Sequence, residues 1–217
     1  MTNDRRAFLK FGLAGAAVAF GLSQILKISP HAFNERLTRK LLGAQGLAPT
    51  FPRDRAKEPK ENGSIGLDDE VAGWTLKIDA PGHPSRALSL DEVKALPRVE
   101  MTTELMCVEG WSEVVTWAGT PLRHIAPPDA PEYVSLSTPD KLYYVGLDLE
   151  SALHPQTLLA WEMNGSPLTP EHGAPLRLVV PVKYGIKNIK RIGTIAFTDT
   201  RPADYWAERG YDWYSGL

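Results

Sequence analysis

Apolar and polar positions fall into regular order only from Trp74 onward. In "WTLKID" the residues Trp74, Leu76 and Ile78 alternate with polar ones, the period of a strand with one buried face. In "SLDEVKAL" the period changes. Leu90, Val93 and Leu96 share one face of a helix, and Ser89 with Glu92 has the spacing of a capping box. Pro97 ends that helix. "VEMTTELMCVEGW" reads as a strand running into a turn, with Cys107 near its end. "EYVSLST" and "KLYYVGLDL" read as two more strands, followed by a short helix around "LESALH". "TLLAWEMNGSPL" is a pair of apolar runs joined by Asn164-Gly165, a hairpin signal because both turn positions favour residues that tolerate positive φ. "PLRLVVPVKYG" and "IKNIKRIGTIAFTD" add two strands about a glycine-containing loop.

These elements predict a β-rich α+β domain over residues 71–217, without the regular βαβ alternation of a parallel sheet. Residues 31–70 include "LGAQGLAPTFPRDRAKEPKENGSIGLDDE", rich in Pro, Gly and charge and lacking any sustained period, so they read as an extended arm or linker. Residues 1–30 have a third pattern: Arg5-Arg6, then Phe8-Leu9-Lys10, then an apolar run rich in Ala and Gly. That is the layout of a twin-arginine signal, which sends folded proteins across the bacterial inner membrane to the periplasm. The run from Phe11 to Leu26 is shorter than the roughly 20 residues of a bilayer span, so it reads as a signal core. An uncleaved anchor is the alternative, since no A-x-A site directly succeeds it.

Composition changes this picture little. Hydrophobic residues make up 43% and charged residues 23% of the 217, ordinary for a globular protein. The formal net charge of −2 gives no electrostatic case for a nucleic-acid partner. The cysteine count changes it more. Cys107 is the only cysteine, which excludes an internal disulfide, a C-x-x-C zinc site and a C-x-x-C-H haem attachment. Exported proteins usually pair their cysteines or lack them. Three roles stay open for this thiol: a small core hydrophobe, a reactive nucleophile or redox sensor, or the thiolate ligand of a soft metal centre.

A denser constellation lies in "MNGSPLTPEHGAPLRLVVPVKYGIKNIKRI". His172-Gly173-Ala174-Pro175-Leu176-Arg177 combines an imidazole and a guanidinium with Gly and Pro that fix a tight backbone able to approach a ligand. Arg177 offers a planar fork of donors suited to an oxyanion or a heterocycle edge. The loop around Gly185, with Lys183, Lys187, Lys190 and Arg191, can gather backbone N–H groups and ammonium heads about one phosphate, or simply be a solvated face.

Taken together, "CVEGWS" with the W, G and PL positions after it, and the long Met163–Ile192 motif, closely resemble the molybdopterin-binding domain of the sulfite oxidase superfamily. The likeness runs from about Trp74 to Thr200 and is nearest to the branch that includes the catalytic subunit of the bacterial periplasmic protein-methionine-sulfoxide reductase. The resemblance implies that Cys107, before the V-E-x-W turn, binds molybdenum. It implies that Thr138, closing the "YVSLST" strand, contacts the cofactor and that His172 and Arg177 line the pterin. Asn188, Ile189 and Lys190 would hold its phosphate end. The implied cofactor is one molybdopterin carrying molybdenum.

For function, the resemblance implies an exported oxidoreductase that transfers an oxygen atom, reducing a sulfoxide or N-oxide. Its electrons would come from a separate haem cytochrome or membrane electron-transfer subunit. The alternatives are a molybdenum dehydrogenase oxidising a small sulfur compound, or a binding domain without cofactor. The reductase branch carries an Asn- and Tyr-rich motif ahead of its first core strand that "EPKENGSIGLDDE" does not reproduce; Asn62 stands in an analogous place and receives no role. Sulfite-oxidising members have an Arg-rich stretch after the cysteine, whereas Glu109 and Glu113 here predict an acidic mouth that disfavours sulfite. His83, His124 and His154 read as surface or cap residues, and Trp111 and Trp117 as core anchors. "YWAERGYDWYSG" either covers a sheet edge or meets a partner.

Overall fold

The computed structural model of the chain describes residues 46–67 and 72–217, so the signal read in residues 1–30 lies outside the described residues. The elements in chain order are β1 (Leu76–Asp79), β2 (Arg86–Leu88), α1 (Leu90–Lys94), β3 (Val99–Met106), β4 (Ser112–Pro121), β5 (Tyr133–Ser137), β6 (Tyr144–Asp148), α2 (Leu149–Ala152), β7 (Leu158–Met163), β8 (Ser166–Pro167), β9 (Arg177–Val179) and β10 (Thr194–Thr198). One sheet has the order β2-β1-β10-β5-β6. The other runs β3-β4-β7-β8, with β9 also paired to β7. Among the described residues only β1 and β10 pair in parallel; the remaining pairs are antiparallel.

Local signals act where they are strongest. The Ser89 side chain accepts from the Glu92 backbone N–H while the Glu92 carboxylate accepts from the Ser89 N–H, so the capping box starts α1. Asn164 and Gly165 take φ 52° and 83°, turning β7 into β8 as predicted. Leu76 and Ile78 enter a core shared with Val134, Leu136, Ile195 and Phe197 of the same sheet and with Leu159, Trp161 and Leu178 of the other. The opposite side of β7 feeds a second cluster with Val115, Trp117, Leu158 and Ala160.

Two strands were not predicted. β2 is short and mostly exposed. β4 is the longest strand, yet eight consecutive residues from Val114 are buried, so its two faces do not alternate in polarity. Its sequence therefore carries no period-2 signal.

The C-terminal segment covers a sheet edge. Tyr205 N–H donates to Tyr144 O (3.0 Å), and Gly146 N–H donates to the Asp204 carboxylate (3.1 Å), which occupies backbone groups of the outer strand β6. The arm lies against the second sheet: Thr50 bridges Thr103, Phe51 N–H donates to Thr102 O (3.0 Å) and Lys57 N–H to Val114 O (2.8 Å).

Candidate cofactor site

β3 delivers Cys107 to an open cleft with about 960 Å³ of empty space, its mouth included. The connection 107–111 folds back on itself, with Cys107 N–H donating to Trp111 O (2.8 Å) and Gly110 N–H to Cys107 O (3.1 Å). Cys107 is half-buried. Its Sγ accepts from Asn62 Nδ2 at 3.5 Å, and the same amide donates to the Glu109 carboxylate at 3.3 Å. The arm therefore supplies a wall of the site, with Asn62 and Gly63 on it. Gly66 fixes where the arm lies. It has φ 78°, and a Cβ there would come within 2.5–2.7 Å of the Thr138 side chain.

β9 and its flanks build the facing wall. His172 ends the turn Pro170–His172, and Gly173 comes next at φ 98°. A Cβ on Gly173 would meet Lys190 Cβ at 2.8 Å, so glycine allows the His172 and Lys190 segments to touch. Arg177 is 4% exposed. Its Nη1 donates to His172 O (3.1 Å), its Nη2 to Asn188 O (3.3 Å), and its guanidinium stacks 4.6 Å from the Trp117 ring centre. Among the described residues no carboxylate pairs with it and Nε has no partner, and burial pushes its pKa down to about 10. Lys190 Nζ donates to Asn62 O (2.8 Å) and Gly63 O (3.0 Å). Burial, then the Arg177 charge, pushes its pKa down to about 8. Burial, then the charges of Arg177 and Lys190, holds the His172 imidazole below its ordinary value and hence neutral at pH 7. Its Nε2 has the Glu58 carboxylate at 3.4 Å and makes no hydrogen bond.

The structure thus brings Cys107, His172, Arg177, Asn188 and Lys190 to one cleft. Thr138 and Ile189 are not on its wall. The Thr138 hydroxyl donates to Asp140 and accepts from Tyr143 N–H, closing its own loop. Ile189 points into the main core and its carbonyl accepts from Leu178 N–H. The basic loop is also less basic at the site than its sequence suggests. Lys187 pairs with Asp204 at 2.5 Å, Lys183 lies 3.6 Å from Asp148 and over the Tyr214 ring, and Arg191 donates to Ala174 O. All three are buried in the fold: a cation with a buried carboxylate nearby can leave the surface, as Lys183 and Lys187 do, and Arg191 is met by backbone carbonyls.

Other expectations need similar correction. Trp117 is a core residue, but Trp111 lines the cleft. Glu109 lies at the mouth, whereas Glu113 pairs with Leu105 in the sheet and does not line the cleft. With Lys60 over the Trp111 ring, the mouth carries both signs and is not acidic. His83 and His124 are exposed; His154 is buried and caps its own turn by accepting from Gln156 N–H. Tyr143, Trp206 and Tyr211 also line the cleft. Tyr143 lies in a segment read only as a strand, and the one sequence signal for Trp206 and Tyr211 was the aromatic density of the C-terminal segment.

A buried guanidinium held only by carbonyl dipoles and a ring face costs several kcal/mol unless an anion neutralises it. An anionic cofactor in the cleft fits that requirement. Among the described residues no group of three or more His, Cys, Asp or Glu is placed to hold a metal ion. A metal at Cys107 must then arrive with other ligands, as a metal chelated by an organic dithiolene does.

Comparison with known proteins agrees. Residues 62–206 match the family described as the oxidoreductase molybdopterin binding domain. The chain is 34% identical, over 98% of its length and 87% of the relative's, to an Azospira oryzae protein provisionally named protein-methionine-sulfoxide reductase subunit YedZ1. It is 39% identical to the protein-methionine-sulfoxide reductase catalytic subunit MsrP of Xanthomonas axonopodis over 63% of its own length, and spans about half (48%) of that protein. The sulfane dehydrogenase SoxCD from Paracoccus pantotrophus shares the fold, with a TM-score of 0.55 and 18% identity over 72% of this chain and 46% of that one. With the match covering both walls of the cleft, the chain belongs to the molybdopterin-binding oxidoreductases of the sulfite oxidase type.

Proposed function

We propose that this oxidoreductase takes an oxygen atom from a sulfoxide-type substrate, with Cys107 as the protein ligand to the molybdenum of a single molybdopterin. The observation that carries the reading is one cleft shared by the lone thiol and an uncompensated buried guanidinium. The cofactor, when bound, supplies two-electron oxygen-atom transfer. The chain supplies the rest. Cys107 donates a thiolate that coordination keeps deprotonated, so it needs no disulfide partner outside the cytoplasm. Arg177 and Lys190 hold positive charge toward the anionic tail. Neutral His172 offers the pterin edge one donor and one acceptor. Asn62 orients the Cys107 sulfur, and Thr138 acts through Gly66 by fixing the arm.

A mouth with Lys60 and Glu109 favours a neutral substrate over a dianion such as sulfite. The names of the relatives point the same way. Electrons are delivered by a separate haem cytochrome or membrane subunit. The Arg5-Arg6 signal exports the chain to the periplasm after the cofactor is in place. The test is protein purified from molybdate-replete cells and assayed with a reduced viologen against sulfoxides, and with an electron acceptor against sulfite. One molybdenum and one pterin per chain with sulfoxide turnover are expected. Metal-free protein, or oxidation of sulfite alone, overturns the reading.

A further inference from the structure

Glu58 and His172 meet at the wall of the cleft from opposite sides. His172 is part of that wall and is 1% exposed. The Glu58 side chain is 70% exposed and is not among the groups that line the cleft. Its carboxylate stands 3.4 Å from His172 Nε2, a buried ring nitrogen with no hydrogen bond. One bridging water, or a small side-chain rotation, completes a hydrogen bond over that distance. The arm holds the carboxylate in place. Just before it, Lys57 N–H donates to Val114 O (2.8 Å) on β4, and Lys57 O accepts from Asn164 Nδ2 (3.0 Å) in the β7–β8 turn. Just after it, Pro59 confines the Glu58 backbone to extended conformations and itself lines the cleft. The other charges about the ring are Arg177 on β9, Lys190 on the loop beyond it and Glu171 on the turn that carries His172. Arg177 and Lys190 oppose a positive charge on the imidazole, and Glu58 favours one.

We propose that Glu58 and His172 form a proton inlet through the cleft wall: the Glu58 carboxyl takes a proton from solvent and passes it to His172 Nε2, and the imidazolium so formed releases a proton into the cleft. The inlet rests on the oxygen-transfer reading above. Removing one sulfoxide oxygen as water consumes two protons and two electrons, the electrons coming one at a time from the haem donor. A substrate seated in the mouth displaces the water there, so protons need a route that does not pass the substrate. A neutral imidazole set in the wall supplies one. It accepts a proton, returns to neutral on releasing a proton, and is refilled through Glu58 between the two electrons. Burial, then the charges of Arg177 and Lys190, keeps the ring neutral at rest. Negative charge that enters the cleft with each electron offsets those two cations and draws the proton inward.

The experiment uses cofactor-loaded protein with ring-labelled histidine, followed by NMR, the His172 signals being those absent from His172→Gln. Glu58→Gln removes the charge that favours the imidazolium, so the His172 pKa should fall by roughly half a unit, the size expected of one exposed partner. Molybdenum content should match that of the wild type, since Glu58 does not line the cleft. When a reduced viologen reduces the bound cofactor, a pH indicator should record fewer protons taken up per molybdenum in His172→Gln than in the wild type. With dimethyl sulfoxide as substrate, Glu58→Gln should lower kcat roughly threefold to tenfold at about pH 8, where protons are scarce, and little at about pH 6, with KM unchanged. An unmoved His172 pKa, unchanged proton uptake in His172→Gln, or equal loss of kcat at both pH values overturns the inlet. A Glu58-dependent pKa with His172-dependent proton uptake, in protein that reduces no sulfoxide, keeps the inlet and overturns the oxygen-transfer reading instead.

Discussion

The side-chain amide of Asn62 stands between two acceptors, 3.5 Å from the sulfur of Cys107 and 3.3 Å from the carboxylate of Glu109. A primary amide has two protons, one for each. The arm thereby orients the thiol from 45 residues away. Partners that orient a metal ligand typically matter by 10–100-fold. Asn62→Ala should lower sulfoxide turnover by about that factor and shift the electron paramagnetic resonance signal of the partly reduced metal. An unchanged spectrum and rate would confine Asn62 to holding the arm.

Arg177 ties His172 to Asn188 through two diverging N–H groups. Lysine keeps the charge and loses the fork. Arg177→Lys should therefore stay folded by circular dichroism yet purify with several-fold less molybdenum, measured per chain by elemental analysis. Full occupancy would mean that charge alone suffices at this position.

Lys190 provides a pH signature. Its folded pKa, about 8, lies below its ordinary 10.5, through burial first and the Arg177 charge second. Between those values the unfolded chain binds more protons than the folded one, so cofactor-free protein should gain stability as pH rises from about 8 to 10.5. An anion at Nζ raises the pKa again, so cofactor binding takes up a proton and weakens as pH rises through about 8. Thermal melts and cofactor retention on dialysis, on either side of that pH, measure the two trends. Both should flatten in Lys190→Met; if they persist there, another group carries them.

Much of the site was legible because its residues sit in contiguous motifs. Cys107 precedes its own turn, and His172, Gly173 and Arg177 lie within one segment that folds as a unit. The capping box of α1 and the Asn164-Gly165 turn were legible for the same reason: their physics spans only a few residues. What failed depends on distant partners. Lys183 and Lys187 look like surface charges until the fold supplies Asp148 and Asp204. Trp111 has the composition of a core residue, and only the placement of the 107–111 turn puts it on the cleft. β4 is buried on both faces by elements far away in sequence, so alternation could not reveal it.

The aromatic side of the cleft depends on one buried ion pair. Lys187 is fully buried; its Nζ donates to Asp204 (2.5 Å) and to Gly146 O (3.0 Å) and lies 4.8 Å from the centre of the Trp213 ring. The other Asp204 oxygen accepts from the N–H groups of Trp206 (3.1 Å) and Ala207 (3.0 Å). One carboxylate therefore neutralises a cation in the core and starts the turn that presents Trp206. Asp204→Asn keeps the shape and leaves the ammonium without a counter-charge. Breaking a buried pair in this way costs about 3–5 kcal/mol, which for a domain of this size lowers the melting temperature by roughly 10 °C. The double change Lys187→Met with Asp204→Leu removes both charges and should recover most of the loss, as apolar replacements of buried pairs often do. It does not restore an acceptor for the Trp206 and Ala207 N–H groups, so amide hydrogen exchange at these two positions should stay faster than in the wild type after stability returns. A loss below about 1 kcal/mol for Asp204→Asn, the range of solvated surface pairs, would mean that water reaches Lys187 and that the C-terminal segment is fastened by its rings instead.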